Sequence, residues 1–154
     1  METNQQDDAI RVWFRMVRLS TRIRLAITAR LKALNLSMAQ CDALTTLTEA
    51  EGITQQELAK KLYVTKGNIS GLIDRLAEAG LVERRSINGD RRSYAIFLTV
   101  EGRAMAQKGI AAQLDFVARS MGRMDVARLR EFDSLMVEAR TLVRDAAKSG
   151  NAKS

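Results

Sequence analysis

Between Thr54 and Gly102 the chain is punctuated so closely that few folds can accommodate it. Thr54 stands three residues before Glu57, the spacing at which a threonine hydroxyl and a glutamate carboxylate cap each other's backbone N–H at a helix start, and Leu58 and Leu62 follow at helical spacing. Thr65 suits the cap of a second helix, in which Ile69, Leu72, Ile73 and Leu76 fall at i, i+3, i+4 and i+7 and make one core stripe. Gly80 stops that helix. Residues 81–87 and 93–98 then read as two strands around Asn88-Gly89-Asp90, a hairpin signal whose loop is expected to exceed the minimal two residues.

The flanks read as helices. From about Asp7 to Ala33 the residues Ile10, Trp13, Phe14, Val17, Ile23, Ile27 and Leu31 recur mostly at helical spacing, which predicts one long helix. Ser37 caps the next, which runs to about Glu51 with Leu44 and Leu47 facing inward before Gly52 ends it. After Thr99 a helix through Ile110, Leu114 and Val117 reaches Met121-Gly122, and another runs from about Asp125 through Phe132, Leu135 and Leu142. The expected fold is mainly α with a small β-wing. Its segments are an N-terminal helix (1–36), a central region of helices and hairpin (37–103) and C-terminal helices (104–154).

Composition removes several function classes. The chain has one cysteine, Cys41, and no histidine, so an intramolecular disulfide, a multi-thiolate metal site and the commonest general base are all excluded. No Gly-rich phosphate loop and no nucleophile beside a base is found, so neither enzyme activity nor a cofactor or metal is expected. No apolar run approaches the roughly 20 residues of a membrane helix, and the start, Glu2 to Asp8, is polar and acidic, so a cytoplasmic location is expected. Net charge is +7, but residues 54–103 carry nine basic against six acidic side chains, hardly more excess than the flanks. A nucleic-acid reading must therefore rest on the placement of particular residues.

That placement is specific. Two helices at turn-helix spacing followed by a basic hairpin is the order of a winged helix-turn-helix, whose second helix enters a major groove while the hairpin meets backbone or minor groove. Opposite its apolar stripe the second helix presents Lys66, Gly67, Asn68, Ser70, Gly71 and Asp74. The glycines permit close approach, Asn68 can pair with adenine, and Ser70 adapts to several base edges. At the hairpin, Arg91 and Arg92, with Arg84 and Arg85 on the first strand, are expected to form one cluster of guanidiniums for phosphate and minor-groove contact. Asp90 would hold Arg92 in a fork geometry.

Thr54-Gln55-Gln56-Glu57-Leu58-Ala59, Val64-Thr65-Lys66-Gly67-Asn68-Ile69-Ser70, Gly80-Leu81-Val82-Glu83-Arg84 and Asp90-Arg91-Arg92 leading to Leu98-Thr99-Val100-Glu101-Gly102 closely resemble the MarR family of winged-helix transcriptional regulators. Val100 departs from a proline that the family often places there. The resemblance implies a homodimer paired through its N- and C-terminal helices, each winged lobe taking half of a pseudo-palindromic operator in double-stranded DNA. It implies that Lys66, Asn68 and Ser70 face the groove, that Gln55 and Thr65 lie near phosphates, that Arg75 contacts the backbone, and that Arg92 enters the minor groove steadied by Asp90, with Arg91 beside it.

Control is less legible. Between Ala9 and Cys41 lie seven basic residues and no acid, and Arg11, Arg15, Arg18 and Arg22 share one helix face. Such a stripe either pairs with acids such as Glu131, Asp133 or Glu138 or attracts an anion. The resemblance implies a small anionic or aromatic effector, an aromatic carboxylate or an acyl-coenzyme A, held near Trp13, Arg18 and Arg22. Cys41 reads either as a buried structural residue or as a redox switch. A winged module that docks on protein instead of DNA is the alternative from another class.

Overall fold

The computed structural model describes residues 2–151, with side chains from 4 to 149 apart from those of 90–92. In chain order the elements are α1 (Glu2–Lys32), α2 (Met38–Glu49), α3 (Gln55–Leu62), α4 (Lys66–Glu78), β1 (Val82–Ile87), β2 (Asp90–Leu98), α5 (Val100–Arg119), a 3-10 turn at Met121–Arg123 and α6 (Val126–Asn151). This is the mainly helical architecture with a two-stranded antiparallel wing that the sequence predicts. Two compact units divide between Leu114 and Asp115.

In the first unit, local chemistry sets the element boundaries. Asn35, in the left-handed region at φ 55°, turns the chain out of α1 where a glycine is the commoner choice. Ser37 then caps α2 through a reciprocal box: its hydroxyl accepts from the Gln40 N–H at 3.1 Å, and its own N–H donates to Gln40 Oε1 at 2.8 Å. Leu31, Leu36, Leu44 and Leu47 meet Leu58, Ile69, Ile73, Leu76 and Ile96 in one core. Each such side chain contributes on the order of 1.5–3 kcal/mol when removed from water.

Cys41 belongs to this core. It is wholly buried, Gln113 Nε2 donates to its Sγ at 3.3 Å, and a Cβ at Gly109 would fall only 2.6 Å from that sulfur. Burial pushes the thiol pKa up, which disfavours the thiolate that oxidants attack. The structural reading of Cys41 thus has packing and electrostatics behind it, and redox sensing has neither.

The wing corrects the sequence reading in detail. Asn88 (φ 49°) and Gly89 (φ 75°) both take positive φ, as a type I′ turn demands, and Ile87 pairs with Asp90, so the loop is the minimal two residues after all. The extra length lies in β2 instead, where pairing jumps from Ser86–Tyr94 to Ile87–Asp90 and residues 91–93 form a bulge. At its other end β2 is tied to the link before α3: Gly52 N–H donates to Ile96 O and Ile96 N–H to Ile53 O, each at 2.9 Å. The wing is therefore anchored to the start of α3.

In α1 only the last turns, at Ile27 and Leu31, enter the core; Ile10, Trp13, Phe14 and Val17 stand about half exposed. In the second unit, Asp125 Oδ1 accepts from the Ala127 N–H at 2.9 Å and starts α6, whose Leu135, Met136, Leu142 and Val143 are likewise exposed. Among the described residues, no helix is long and apolar enough to cross a membrane.

Candidate nucleic-acid interface

Helices α3 and α4 and the wing enclose a concave surface of about 1090 Å³. At one end the Thr54 hydroxyl accepts from the Glu57 N–H at 3.1 Å while the Thr54 N–H donates to Glu57 Oε2 at 2.7 Å, the box that the Thr-x-x-Glu spacing predicts. That backbone hydrogen bond, with a second from the Thr54 hydroxyl, holds the Glu57 carboxyl below its usual range. Tyr63 ends α3, and Thr65 starts α4 by accepting from the Asn68 N–H at 3.3 Å. Ile69, Leu72, Ile73 and Leu76 are all buried, so α4 has its opposite face turned outward: Lys66, Gly67 and Asn68 are exposed, and Ser70 and Gly71 half-buried.

Of the sequence-predicted residues, Gln55, Lys66 and Ser70 line the concavity, whereas Thr65 and Asn68, exposed at the start of α4, are not in its lining. Arg75 lies exposed in the last turn of α4 and is not brought into the lining. The side chains of Asp90, Arg91 and Arg92 lie outside the described residues. Trp13, Arg18 and Arg22 are exposed on α1 and are not brought together with the concavity. Lys60, Tyr63 and Tyr94, which sequence reasoning passed over, join the lining. Only the β-strand alternation around Tyr94 could have flagged any of the three.

Of the expected cluster of arginines, Arg84 and Arg85 do not come together, because consecutive strand residues point to opposite faces, while the side chains of Arg91 and Arg92 lie outside the described residues. Arg84 faces the concavity, donating to Asp74 Oδ1 at 2.6 Å and, from Nε and Nη2, to Gln55 Oε1 at 3.4 Å. It braces the starts of α3 and β1 against α4. Arg85 turns away, with its guanidinium 4.0 Å above the Phe97 ring and its Nε donating to Glu83 at 2.9 Å. At the wing's base Glu51 accepts from the Leu98 N–H at 3.0 Å and from Arg103 at 2.6 Å, and the Arg103 bond chiefly lowers its pKa.

Because Arg84 and Asp74 are partly solvated, their bond is worth about 1 kcal/mol. Arg84→Met and Asp74→Asn should each lower stability in urea by about that much, and the double variant by little more than either alone. Additive losses would show that the pair does not brace the site.

Comparison with known proteins bears on the same region. A model of the MarR family matches residues 36–94. An HTH-type transcriptional regulator of Bacillus cereus is 32% identical over 105 residues, 68% of this chain and 69% of that protein. The HTH-type transcriptional repressor Rv2887 of Mycobacterium tuberculosis is 28% identical over 121 residues, 79% of this chain and 87% of its own. The crystal structure of Rv2887 aligns with a TM-score of 0.66 at 26% identity, over 82% of this chain and 91% of that one. Rv2887 has also been crystallised with DNA and with salicylic acid. In fold alone, the MarR family transcription regulator SP03579 is similar over 95% of this chain and 97% of its own, with a TM-score of 0.86 at 22% identity. With two short capped helices, a braced wing, a MarR-family match across them and relatives similar over most of its length, this chain belongs to the MarR family of winged-helix regulators.

Proposed function

We propose that the protein is a DNA-binding transcriptional repressor that grips a pseudo-palindromic operator as a homodimer and acts in the cytoplasm without catalytic activity. The observation that carries this reading is the concave surface itself: with its apolar stripe buried, α4 turns Lys66 and Ser70 into that surface and leaves Asn68 exposed, beside a wing tied to the same helices. Residues 37–103 would read DNA, while 1–36 and 104–154 would pair the subunits. Gln55 and Thr65 suit phosphates at helix starts, Arg75 an outer phosphate, and Arg91 and Arg92, with Asp90, the minor groove. The DNA complex of Rv2887 supports this mode, and its salicylic acid complex supports an aromatic carboxylate as effector, with Trp13, Arg18 and Arg22 on α1 as candidate contacts.

Selection of genomic fragments on the full-length protein tests the reading. An inverted repeat should be enriched, and salicylate should release it. Asn68→Ala should cost about 1–3 kcal/mol on the selected site but little on scrambled duplex, whereas Lys66→Ala should weaken both and flatten the salt dependence by about one phosphate contact. Equal indifference to every fragment at low ionic strength would retire the proposal.

A further inference from the structure

One residue of the concave surface is out of character with its backbone. Tyr63 has φ 54° and ψ 40°, the left-handed region that side chains with a Cβ rarely adopt. Among the described residues, every other positive φ is given to asparagine or glycine: Asn35, Gly52, Gly80, Asn88 and Gly89. Tyr63 is also 96% exposed, the most exposed of the large apolar or aromatic side chains. The left-handed turn closes the end of α3 through the backbone, a place where glycine or asparagine would serve without strain, yet the chain puts there an aromatic ring that the described residues leave bare. Strain of that kind collects where a surface meets a ligand.

The turn holds this ring in place. The Tyr63 N–H donates to Lys60 O at 3.3 Å and the Val64 N–H to Ala59 O at 3.1 Å, so the Cα is fixed between α3 and α4, two residues before the cap of α4. The same concave surface holds Lys60 and Lys66, whose charge favours an anion, while a phenol adds a neutral O–H donor and an apolar face. A phosphodiester with its sugar matches both halves of that side chain.

We infer that Tyr63 is a DNA-backbone contact, its hydroxyl donating to a phosphate oxygen and its ring covering the adjoining deoxyribose at the edge of the groove that α4 enters. The inference rests on the DNA-binding reading above. A phosphate contact positions the protein without reading sequence, and a neutral donor releases no counterion.

The test uses the full-length protein, the selected operator and a scrambled duplex, with anisotropy titrations across a salt series and thermal melts without DNA. Tyr63→Phe should weaken both duplexes about five-fold and leave the salt slope unchanged, unlike Lys60→Ala, which should flatten it. Tyr63→Gly should weaken binding about ten-fold while raising Tm by about 2–4 °C, because glycine relieves the backbone. Unchanged affinity in both tyrosine variants would overturn the inference, as would a Tyr63→Gly protein that loses affinity and melts lower, since that pattern marks a structural residue. A parent protein that binds no duplex would overturn the DNA-binding reading first, and is told apart by needing no variant.

Discussion

Gly102→Ala is expected to cost about 3–5 kcal/mol, enough to unfold much of the protein at 37 °C, because the new methyl has nowhere to go. A Cβ at Gly102 would stand 1.8 Å from the Leu81 carbonyl oxygen and 2.7 Å from its carbon, so the obstacle is backbone and cannot rotate aside. Two hydrogen bonds hold the two segments at that distance, and a third fixes Gly102 to the residue that makes them. Thr99 N–H donates to Leu81 O at 3.1 Å, the Thr99 hydroxyl donates to Gly80 O at 2.6 Å, and the same hydroxyl accepts from the Gly102 N–H at 2.9 Å. Lifting α5 far enough to clear the methyl would break them and open the base of the wing. Gly71→Ala is the matched control, since its Cβ would meet only Arg75 Nη1 at 3.6 Å. It should stabilise by about 0.5–1 kcal/mol as alanine replaces glycine inside a helix. Urea midpoints for the two variants decide the matter; a Gly102→Ala protein that unfolds with the parent would show that α5 does not press on residue 81.

The contrast between these glycines shows what the sequence conceals. Caps and stripes are legible because they are local: Thr54 and Glu57 are three residues apart, and Ile69, Leu72, Ile73 and Leu76 lie on one face whatever surrounds them. In sequence Gly102 looks like an imperfect cap partner, because its real reason, Leu81, is 21 positions away. Adjacency groups Arg84 with Arg85, although a strand's period of two separates them and Arg84 finds Gln55 29 positions earlier. Asn88-Gly89 does announce a two-residue turn, but residues 90–92, which belong to β2, look like loop because a bulge has no sequence mark of its own. At the site, Lys66, Asn68 and Ser70 can be read from the helix face alone. Tyr63 cannot, since nothing in its neighbours foretells a left-handed tyrosine.

The apolar stripes of the terminal helices are also legible, but what covers them is not, and the second large effect is expected there. Ile10, Trp13, Phe14 and Val17 follow one another along a single face of α1 and are 46–54% exposed, and α6 leaves Leu135, Met136, Leu142 and Val143 at 43–63%. Contiguous apolar faces on two long helices are more than a monomeric protein ordinarily leaves in water. In the proposed homodimer a second copy covers them, and its two-fold symmetry would make each substitution count twice. Val17→Glu should therefore place two carboxylates in the shared interface, at several kcal/mol each for desolvation, and convert the protein to a species of 17.1 kDa in sedimentation. Val17 is not among the buried core residues, so the winged lobe should keep its fold. Operator affinity should nevertheless drop by about 10²–10⁴, because two half-sites held by separate monomers lose the effective concentration that joins them. If Val17→Glu sediments as the parent does, or binds the operator equally well as a monomer, then the stripe serves some other contact and each lobe reads DNA alone.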